Sequence, residues 1–360
     1  MEIDLRASLV GFALAAVVLA AVGWLVGPGR VADAVAQADP VLLVAVLVAA
    51  ACWLTSWGLA LWTVLGGLGA PVRGHVAVLV FAAATFANNV TPFGQAGGEP
   101  VSALFVSRAA DTEYETGLAA IASVDSLNFV PSIALAAAGI AYFSTRLTFG
   151  SRLRLASYAV GALALAVPLL VVVGWRYRHT VERGATRAAT PVTRLVGRLF
   201  PGREPPSRAA VRSRVDGFVH AIERATGNRR RLALALGFST SGWLCQSVSL
   251  WLSLTALGAN VPFPVALVAV PVGAIAGVTP LPGGLGGVET VLIALLAALS
   301  VPASAAAGAV VVHRVGTYLL PTVLGGGVAG VLGSSGRFGV GSTRARRRRR
   351  RRGRSGADTC

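Results

Sequence analysis

Two breaks rich in Pro and Gly, one in each half of the chain, interrupt hydrophobic segments of membrane length. The first reads Thr91-Pro92-Phe93-Gly94-Gln95-Ala96-Gly97-Gly98-Glu99, and the second reads Thr279-Pro280-Leu281-Pro282-Gly283-Gly284-Leu285-Gly286-Gly287-Val288-Glu289. Backbone within lipid must satisfy its own hydrogen bonds, so such a break is tolerated only where it is buried in protein or lines a polar cavity. A matched pair of breaks is typical of the central site of a transporter built from repeats.

The composition excludes an ordinary soluble domain. Hydrophobic residues make up 54% of the chain and charged residues only 13%, which is typical of a polytopic membrane protein. The net charge of +17 comes from arginine, and most of the arginines lie in residues 176–231 and 337–354. Anionic lipid and the preference of basic flanks for the cytoplasm explain this distribution better than nucleic acid does.

Hydrophobic length predicts an all-α protein with about six spanning helices and two re-entrant, Pro/Gly-broken hairpins. A span needs about 20 apolar residues. The segments that meet this length are 8–27, 41–65, 117–143, 155–175, 232–257 and 303–332.

The two interrupted regions, residues 76–107 and 263–300, are interpreted as hairpins in an inverted-repeat-like arrangement. The first divides into pieces too short to span separately; in the second, residues 283–300 could instead cross as an ordinary helix. Arginine-rich flanks resist translocation, which predicts cytoplasmic N- and C-termini in the cell membrane. The hairpins then enter from opposite faces, and their breaks are expected to meet near the midplane.

One transmembrane domain, residues 1–333, is expected to carry all of these segments. Within it, residues 176–231 form a cytoplasmic arginine-rich segment, in which apolar residues at helical spacing predict interfacial amphipathic helices; a solvated linker is the alternative. Residues 334–360, which contain seven consecutive arginines, are predicted to be disordered. Both segments are expected to attract anionic head groups.

Ionisable residues within the apolar segments are the main candidates for a site. Glu99, Asp125, Glu289, His313 and Arg314 are such residues, and a charge at the bilayer centre costs about 2.5–3.5 kcal/mol on insertion scales. They are therefore expected to bind substrate or to pair with one another, with Arg314 close to Glu289 or Asp125. The alternatives are structural, because Glu99 and Glu289 could each cap the helix that follows its break.

Amides and one more arginine complete the candidate set. No spacing typical of a metal site or of a nucleotide-binding loop occurs, so no metal and no cofactor are expected. The candidate substrate-binding residues are Asn88, Asn89, Gln95, Glu99, Arg108, Asp125, Glu289 and Arg314. The candidate helix-break residues are Thr91, Pro92, Gly97, Gly98, Thr279, Pro280, Pro282, Gly283, Gly284 and Gly286.

Taken together, these motifs resemble the transmembrane region of lysylphosphatidylglycerol synthases, a flippase-like membrane family. The resemblance extends to about Leu332, and the second break with its Glu289 is its most specific part. The residues that carry it are Asn88-Asn89, Pro92, Gly97-Gly98-Glu99, Arg108, Asp125, Thr279 to Gly286, Glu289, His313-Arg314, Tyr318 and Pro321. The first break departs from the commoner Pro-x-x-x-Gly-Glu form, because five residues instead of three separate Pro92 from Gly98-Glu99.

The resemblance implies a lipid translocase without the aminoacyl-transferase domain of the bifunctional members. Its substrate is expected to be a phospholipid or a polyisoprenyl-phosphate-linked head group. Arg108 or Arg314 would meet the phosphate, while Glu99, Asp125 and Glu289 would meet a cationic or hydroxylated group. The alternative is a membrane enzyme or an accessory subunit of aminoacyl- or glycosyl-lipid synthesis, with a synthase or glycosyltransferase partner.

Overall fold

The computed structural model describes Asp33, Ala36 and residues 38–91, 94–146, 228–279, 281–299 and 301–335. Within these residues the chain is all helical and contains no strand, which confirms the predicted fold class. The helices are α1 Pro40–Gly67, α2 Gly74–Val90, α3 Gln95–Ala109, α4 Tyr114–Arg146, α5 Arg229–Ala256, α6 Pro264–Ile275, α7 Gly287–Ala298, α8 Ala303–Arg314 and α9 Leu320–Ser335.

Two long antiparallel helices, α1 and α5, serve to name the two faces of the molecule. Each has 28 residues, and they pack antiparallel. The Ser56 and Ser241 hydroxyls are 3.3 Å apart in the middle of the pair, and the backbone N–H of Asp39 bonds the carbonyl of Ala256 at one end. We call the side where α1 ends and α5 begins the first face, and the opposite side the second face.

Helices α2 and α3 form a hairpin that opens on the first face. The Ser102 hydroxyl donates to the carbonyl of Ala84 at 3.3 Å, and Gly98 packs directly on the backbone of Asn88. These contacts establish an antiparallel helix pair whose tip holds the first break. Since the two helices have 17 and 15 residues, each is about 22–26 Å long and falls short of a hydrocarbon core of about 30 Å.

Helices α6 and α7 form the second hairpin, which opens on the second face. Gly273 of α6 packs on Leu292 of α7, and Gly139, near the end of α4, lies against the carbonyl of Pro264. Both helices have 12 residues, about 18 Å each. Residues 283–300 therefore do not form an ordinary spanning helix, and the hairpin interpretation is the one that the structure supports.

The last span is continuous but changes its winding in the middle. Helix α8 passes into a π-helical turn, Val315–Leu319, which leads into α9. Gly325 and Gly326 of α9 pack on α2 at Ala82 and Phe86, so α9 runs toward the first face. The hairpins thus enter from opposite faces, with this span beside both.

Three helical segments in the described part of the chain are long and apolar enough to cross a membrane, namely Pro40–Gly67, Tyr114–Tyr142 and Ala303–Leu332. They match the predicted spans 41–65, 117–143 and 303–332. Helix α5 matches the predicted span 232–257 in position and length, although it is less apolar because of its serines and its N-terminal arginines. The predicted spans 8–27 and 155–175, residues 176–227 and the tail after 335 lie outside the described residues.

Candidate functional site

The tips of the two hairpins touch between the faces, as the matched breaks predict. A Cβ atom built on Gly94 would lie 3.1 Å from the carbonyl oxygen of Gly277, and one built on Gly283 would lie 3.0 Å from the Cα of Asn89. Gly94, Gly283, Gly284 and Gly286 all have positive φ, a conformation that residues with a side chain rarely adopt. Glycine is therefore required here both for the backbone path and for the close approach.

The second break carries an ion pair. The Arg314 Nε donates to the Glu289 Oε1 at 2.5 Å, and the two side chains are 17% and 7% exposed. The other carboxylate oxygen, Oε2, accepts the backbone N–H of Gly286 at 2.6 Å. Glu289 thus caps the N-terminus of α7 and neutralises Arg314, so the expected pairing of Arg314 with Glu289 is confirmed.

Tyr318 links this ion pair to the first hairpin. Its ring lies 4.7 Å below the Arg314 guanidinium, and its hydroxyl donates to the carbonyl of Asn89 at 3.1 Å. The Asn89 amide donates in turn to the Thr322 hydroxyl at 2.7 Å and to the Tyr318 carbonyl at 3.3 Å. The Asn89 side chain is thereby committed to holding α2 against the π-helical turn.

A second polar group forms where the first hairpin meets α4. The Gln95 amide donates to the Asp125 Oδ1 at 3.3 Å, and Asp125 lies within electrostatic range of the Glu99 carboxylate. The Asp125 Oδ2 is buried, and so is the Asn88 Oδ1; neither has a hydrogen-bond partner within the described part of the chain. Within that part, these two oxygens are therefore unpaired acceptors, whereas both carboxylate oxygens of Glu289 accept hydrogen bonds.

Arg108, also a predicted substrate-binding residue, lies apart from these residues. It is in the last turn of α3, about 20 Å along the helix from the break. Its guanidinium is exposed, and its Nη1 lies 3.4 Å from the carbonyl oxygen of Leu332 at the end of α9. Arg314 is thus the arginine that the structure places at the breaks, while Arg108 lies on the first face.

The remaining predicted residues that the structure describes fall at the hairpin tips. Gly97 and Gly98 lie in the first turns of α3, and Thr91 closes α2 through a hydrogen bond from its hydroxyl to the carbonyl of Ala87. The Thr279 hydroxyl is buried without a hydrogen-bond partner among the described residues, beside Gly287. Pro282 is buried in a short 3₁₀ turn with Gly283 and Gly284, whereas Pro92 and Pro280 lie outside the described residues.

With this arrangement established, the comparisons with known proteins assign the family. The sequence profile of the lysylphosphatidylglycerol synthase transmembrane region matches residues 8–325. The chain belongs to this family. It is accordingly a membrane protein whose matched region spans both hairpins and both polar groups.

Two relatives of the chain are named only as membrane proteins, and a third is named as a glycosyltransferase. A UPF0104 membrane protein of Methanothermobacter thermautotrophicus is 26% identical over 330 residues, which cover 89% of this chain and 94% of the relative. A UPF0104 membrane protein of Pyrococcus horikoshii is also 26% identical, over 67% of this chain and 72% of its own length. The glycosyltransferase AglD of Haloferax volcanii is 29% identical over 88% of this chain, but the match covers only 53% of that protein.

Several residues that organise the site were not found as candidates by sequence reasoning. Tyr318 and Thr322 look like ordinary members of an apolar span, and the sequence signal for Tyr318 was its place in the family pattern. Asn128 was not among the candidates; its side-chain oxygen accepts from the Ser239 hydroxyl at 2.5 Å, and its backbone carbonyl accepts from the Trp243 ring nitrogen at 2.9 Å. His313 contacts the Ser249 hydroxyl at 2.9 Å, as expected of a buried histidine with a structural partner.

Proposed function

We propose that this protein is a lipid translocase that moves a phospholipid or a polyisoprenyl-phosphate-linked lipid between leaflets. The observation that carries the proposal is the contact between two broken hairpins that enter from opposite faces. Each hairpin extends only part of the way across the hydrocarbon core, and the tips meet between the two faces. A polar head group therefore has to cross only the short region where the tips meet. Its hydrocarbon chains remain in the surrounding lipid.

The polar groups at the tips have the chemistry that such a head group needs. Arg314 supplies a guanidinium for a phosphate, because its planar donors suit that geometry. Asp125, Glu99 and Gln95 supply acceptors for an amine or for hydroxyl groups. Ionisable residues inside a membrane are rare and usually line a pathway, which supports a transport role over a purely structural one.

The orientation proposed here follows the arginines. Arg73, Arg108, Arg229, Arg230 and Arg231 all lie on the first face, and basic flanks favour the cytoplasm. We therefore assign the first face to the cytoplasmic side of the cell membrane. The C-terminus of α9 is on the same side.

Reconstitution tests the proposed function. The purified protein is placed in liposomes with a panel of fluorescently labelled lipids: phosphatidylglycerol, lysylphosphatidylglycerol, phosphatidylethanolamine and a polyisoprenyl phosphate. A membrane-impermeant reductant then bleaches the label in the outer leaflet. For at least one lipid, the bleached fraction should rise well above that of protein-free liposomes. An unchanged fraction for every lipid would contradict the proposal.

A second candidate function is an accessory role in glycosyl-lipid synthesis, which the match to the glycosyltransferase AglD favours. In that case membranes containing the protein, supplied with a labelled nucleotide sugar and a glycosyltransferase, would form labelled lipid faster than membranes without it. The liposome assay would meanwhile show no movement. The two outcomes separate the candidates.

A further inference from the structure

The carboxylate of Glu289 occupies a position that is built to hold an anion. It is bonded by the Arg314 Nε at 2.5 Å and by the backbone N–H of Gly286 at 2.6 Å. It also stands at the first turn of α7, where the unpaired N–H groups and the helix dipole favour negative charge. Phosphate uses the same set of donors at helix N-termini.

The Glu289 carboxylate also holds the tip of the second hairpin closed. Through Gly286 it fixes the start of α7, and through Arg314 it fixes the end of α8. The Nη2 of the same guanidinium donates to the carbonyl of Gly283 at 3.2 Å, inside the break itself. The Glu289–Arg314 pair therefore joins the break, α7 and α8.

Arg314 keeps its place by contacts that do not depend on Glu289. The Tyr318 ring supports its guanidinium from one side at 4.7 Å, and the Gly283 carbonyl holds its Nη2. The side chain is 17% exposed, so a ligand can reach it. The Thr279 hydroxyl, buried and unpartnered within the described residues, lies beside Gly287 at the start of α7 and offers one more donor.

We propose that the phosphate of a lipid head group displaces the Glu289 carboxylate from Arg314 and thereby releases the tip of the second hairpin. This inference rests on the proposed function and adds its gating step. Glu289 acts as an internal competitor that keeps the break closed while no phosphate is bound. A phosphate has enough oxygens to contact Arg314 and the N-terminus of α7 at once, which a neutral lipid lacks.

A soluble lipid pair tests the exchange directly. Dihexanoyl phosphatidic acid carries the phosphate, while dihexanoylglycerol has the same chains without it; calorimetry on the purified protein measures binding of each. The variant Glu289→Gln keeps the shape but removes the competing charge, so it should bind the phosphatidic acid about tenfold more tightly, a difference of about 1.4 kcal/mol. Arg314→Gln should bind it at least tenfold more weakly.

Binding of dihexanoylglycerol should be the same in all variants. The exposed Glu113, on the first face, provides the matched control: Glu113→Gln should bind both lipids as the wild type does. Should Glu289→Gln fail to fold, Glu289→Asp keeps the charge and lengthens the pair with Arg314. It should then bind the phosphatidic acid more tightly than the wild type.

Failure of the exchange and failure of transport are separable. Equal or weaker phosphatidic acid binding by the folded Glu289 variant overturns the exchange, while movement of labelled lipid by the wild type would leave the proposed function in place. Conversely, the predicted changes in binding together with no lipid movement by the wild type would support an anion-exchange site and overturn transport.

Discussion

At the scale of single residues, Glu99 and Glu289 show how one sequence pattern gives two environments. Each is a carboxylate that follows a run of glycines. Glu289 is in the first turn of α7, where it accepts the N–H of Gly286 and pairs with Arg314. Glu99 is the fifth residue of α3, and no side chain caps the N-terminus of that helix. It therefore lies beyond the unpaired backbone N–H groups of the first turn, within electrostatic range of Asp125.

Neutralising Glu99 should therefore impair transport without a loss of stability. In Glu99→Gln the side chain keeps its shape but loses the charge offered to a head group or proton, and the repulsion with Asp125 disappears. We expect lipid movement in liposomes to fall by about tenfold or more, equivalent to about 1.4 kcal/mol, with a melting temperature that does not fall. Wild-type transport by Glu99→Gln and by Asp125→Asn would remove both residues from the site.

Substitution of Gly98 tests the close packing of α3 on α2. A Cβ atom there would lie 2.6 Å from both the backbone N and the Cα of Asn88, and backbone atoms cannot rotate away. Gly98→Ala should lower the free energy of unfolding by about 1–3 kcal/mol through overpacking. Gly237 in α5 is the matched control, since nothing lies within 4 Å of its Cβ position and alanine adds helix propensity of about 1 kcal/mol. The melting temperature in detergent should fall for Gly98→Ala and rise for Gly237→Ala. A shift in the same direction for both variants would contradict the close packing of α2 on α3.

At the scale of elements, the α1 and α5 pair sets the register of the bundle. Trp57 of α1 donates to the carbonyl of Ser239 at 3.2 Å and packs edge-on against Trp243 with ring centroids 5.4 Å apart. The same register brings Cys52 opposite Cys245, and the two thiols lie within electrostatic range of each other. Both are free.

Oxidation should cross-link these two helices. With Cys360 changed to Ser, treatment with copper phenanthroline is expected to join Cys52 and Cys245, and mass spectrometry of the digested protein should find the linked peptides until a reductant is added. Moving the first thiol by one turn, through Cys52→Ser with Val48→Cys, should reduce the yield severalfold. Equal yields from the two positions would show that the register of α1 against α5 is wrong.

The sequence predicted the elements better than it predicted the contacts between them. Both hairpins and the meeting of their tips follow from Pro and Gly within apolar segments, because lipid leaves few places for a broken helix. The role of Asn89 could not be read in the same way, since an amide beside a break serves a ligand or a neighbouring helix equally well. The distance of Arg108 from the break follows from the length of α3, whereas its predicted role in binding a phosphate stays a prediction.

At the scale of the whole molecule, most of the described arginines lie at one face, although Arg146, at the end of α4, lies at the other. Arg73, Arg108 and Arg229 to Arg231 lie on the first face, and the turn between α5 and α6, with the exposed Asn260, lies on the second. Because basic flanks stay in the cytoplasm during membrane insertion, this separation determines the orientation of the protein.

Labelling of single cysteines in intact cells should report that separation. With Cys52, Cys245 and Cys360 replaced by Ser, an impermeant maleimide should label Asn260→Cys from outside. It should label Glu113→Cys only after the cells are permeabilised. The reverse pattern would invert the orientation while leaving the fold intact.

The serines of α5 affect how the topology of this chain is assigned from its sequence. Four of its serines, Ser239, Ser247, Ser249 and Ser253, are at most 1% exposed, and their hydroxyls bond to carbonyls one turn back or to neighbouring helices. A strict cutoff on mean hydropathy, unlike the length of the apolar segment, would omit such a helix although it runs from the first face to the second. Because one omitted crossing changes the parity of the count, every loop after residue 256 would then be assigned to the wrong compartment.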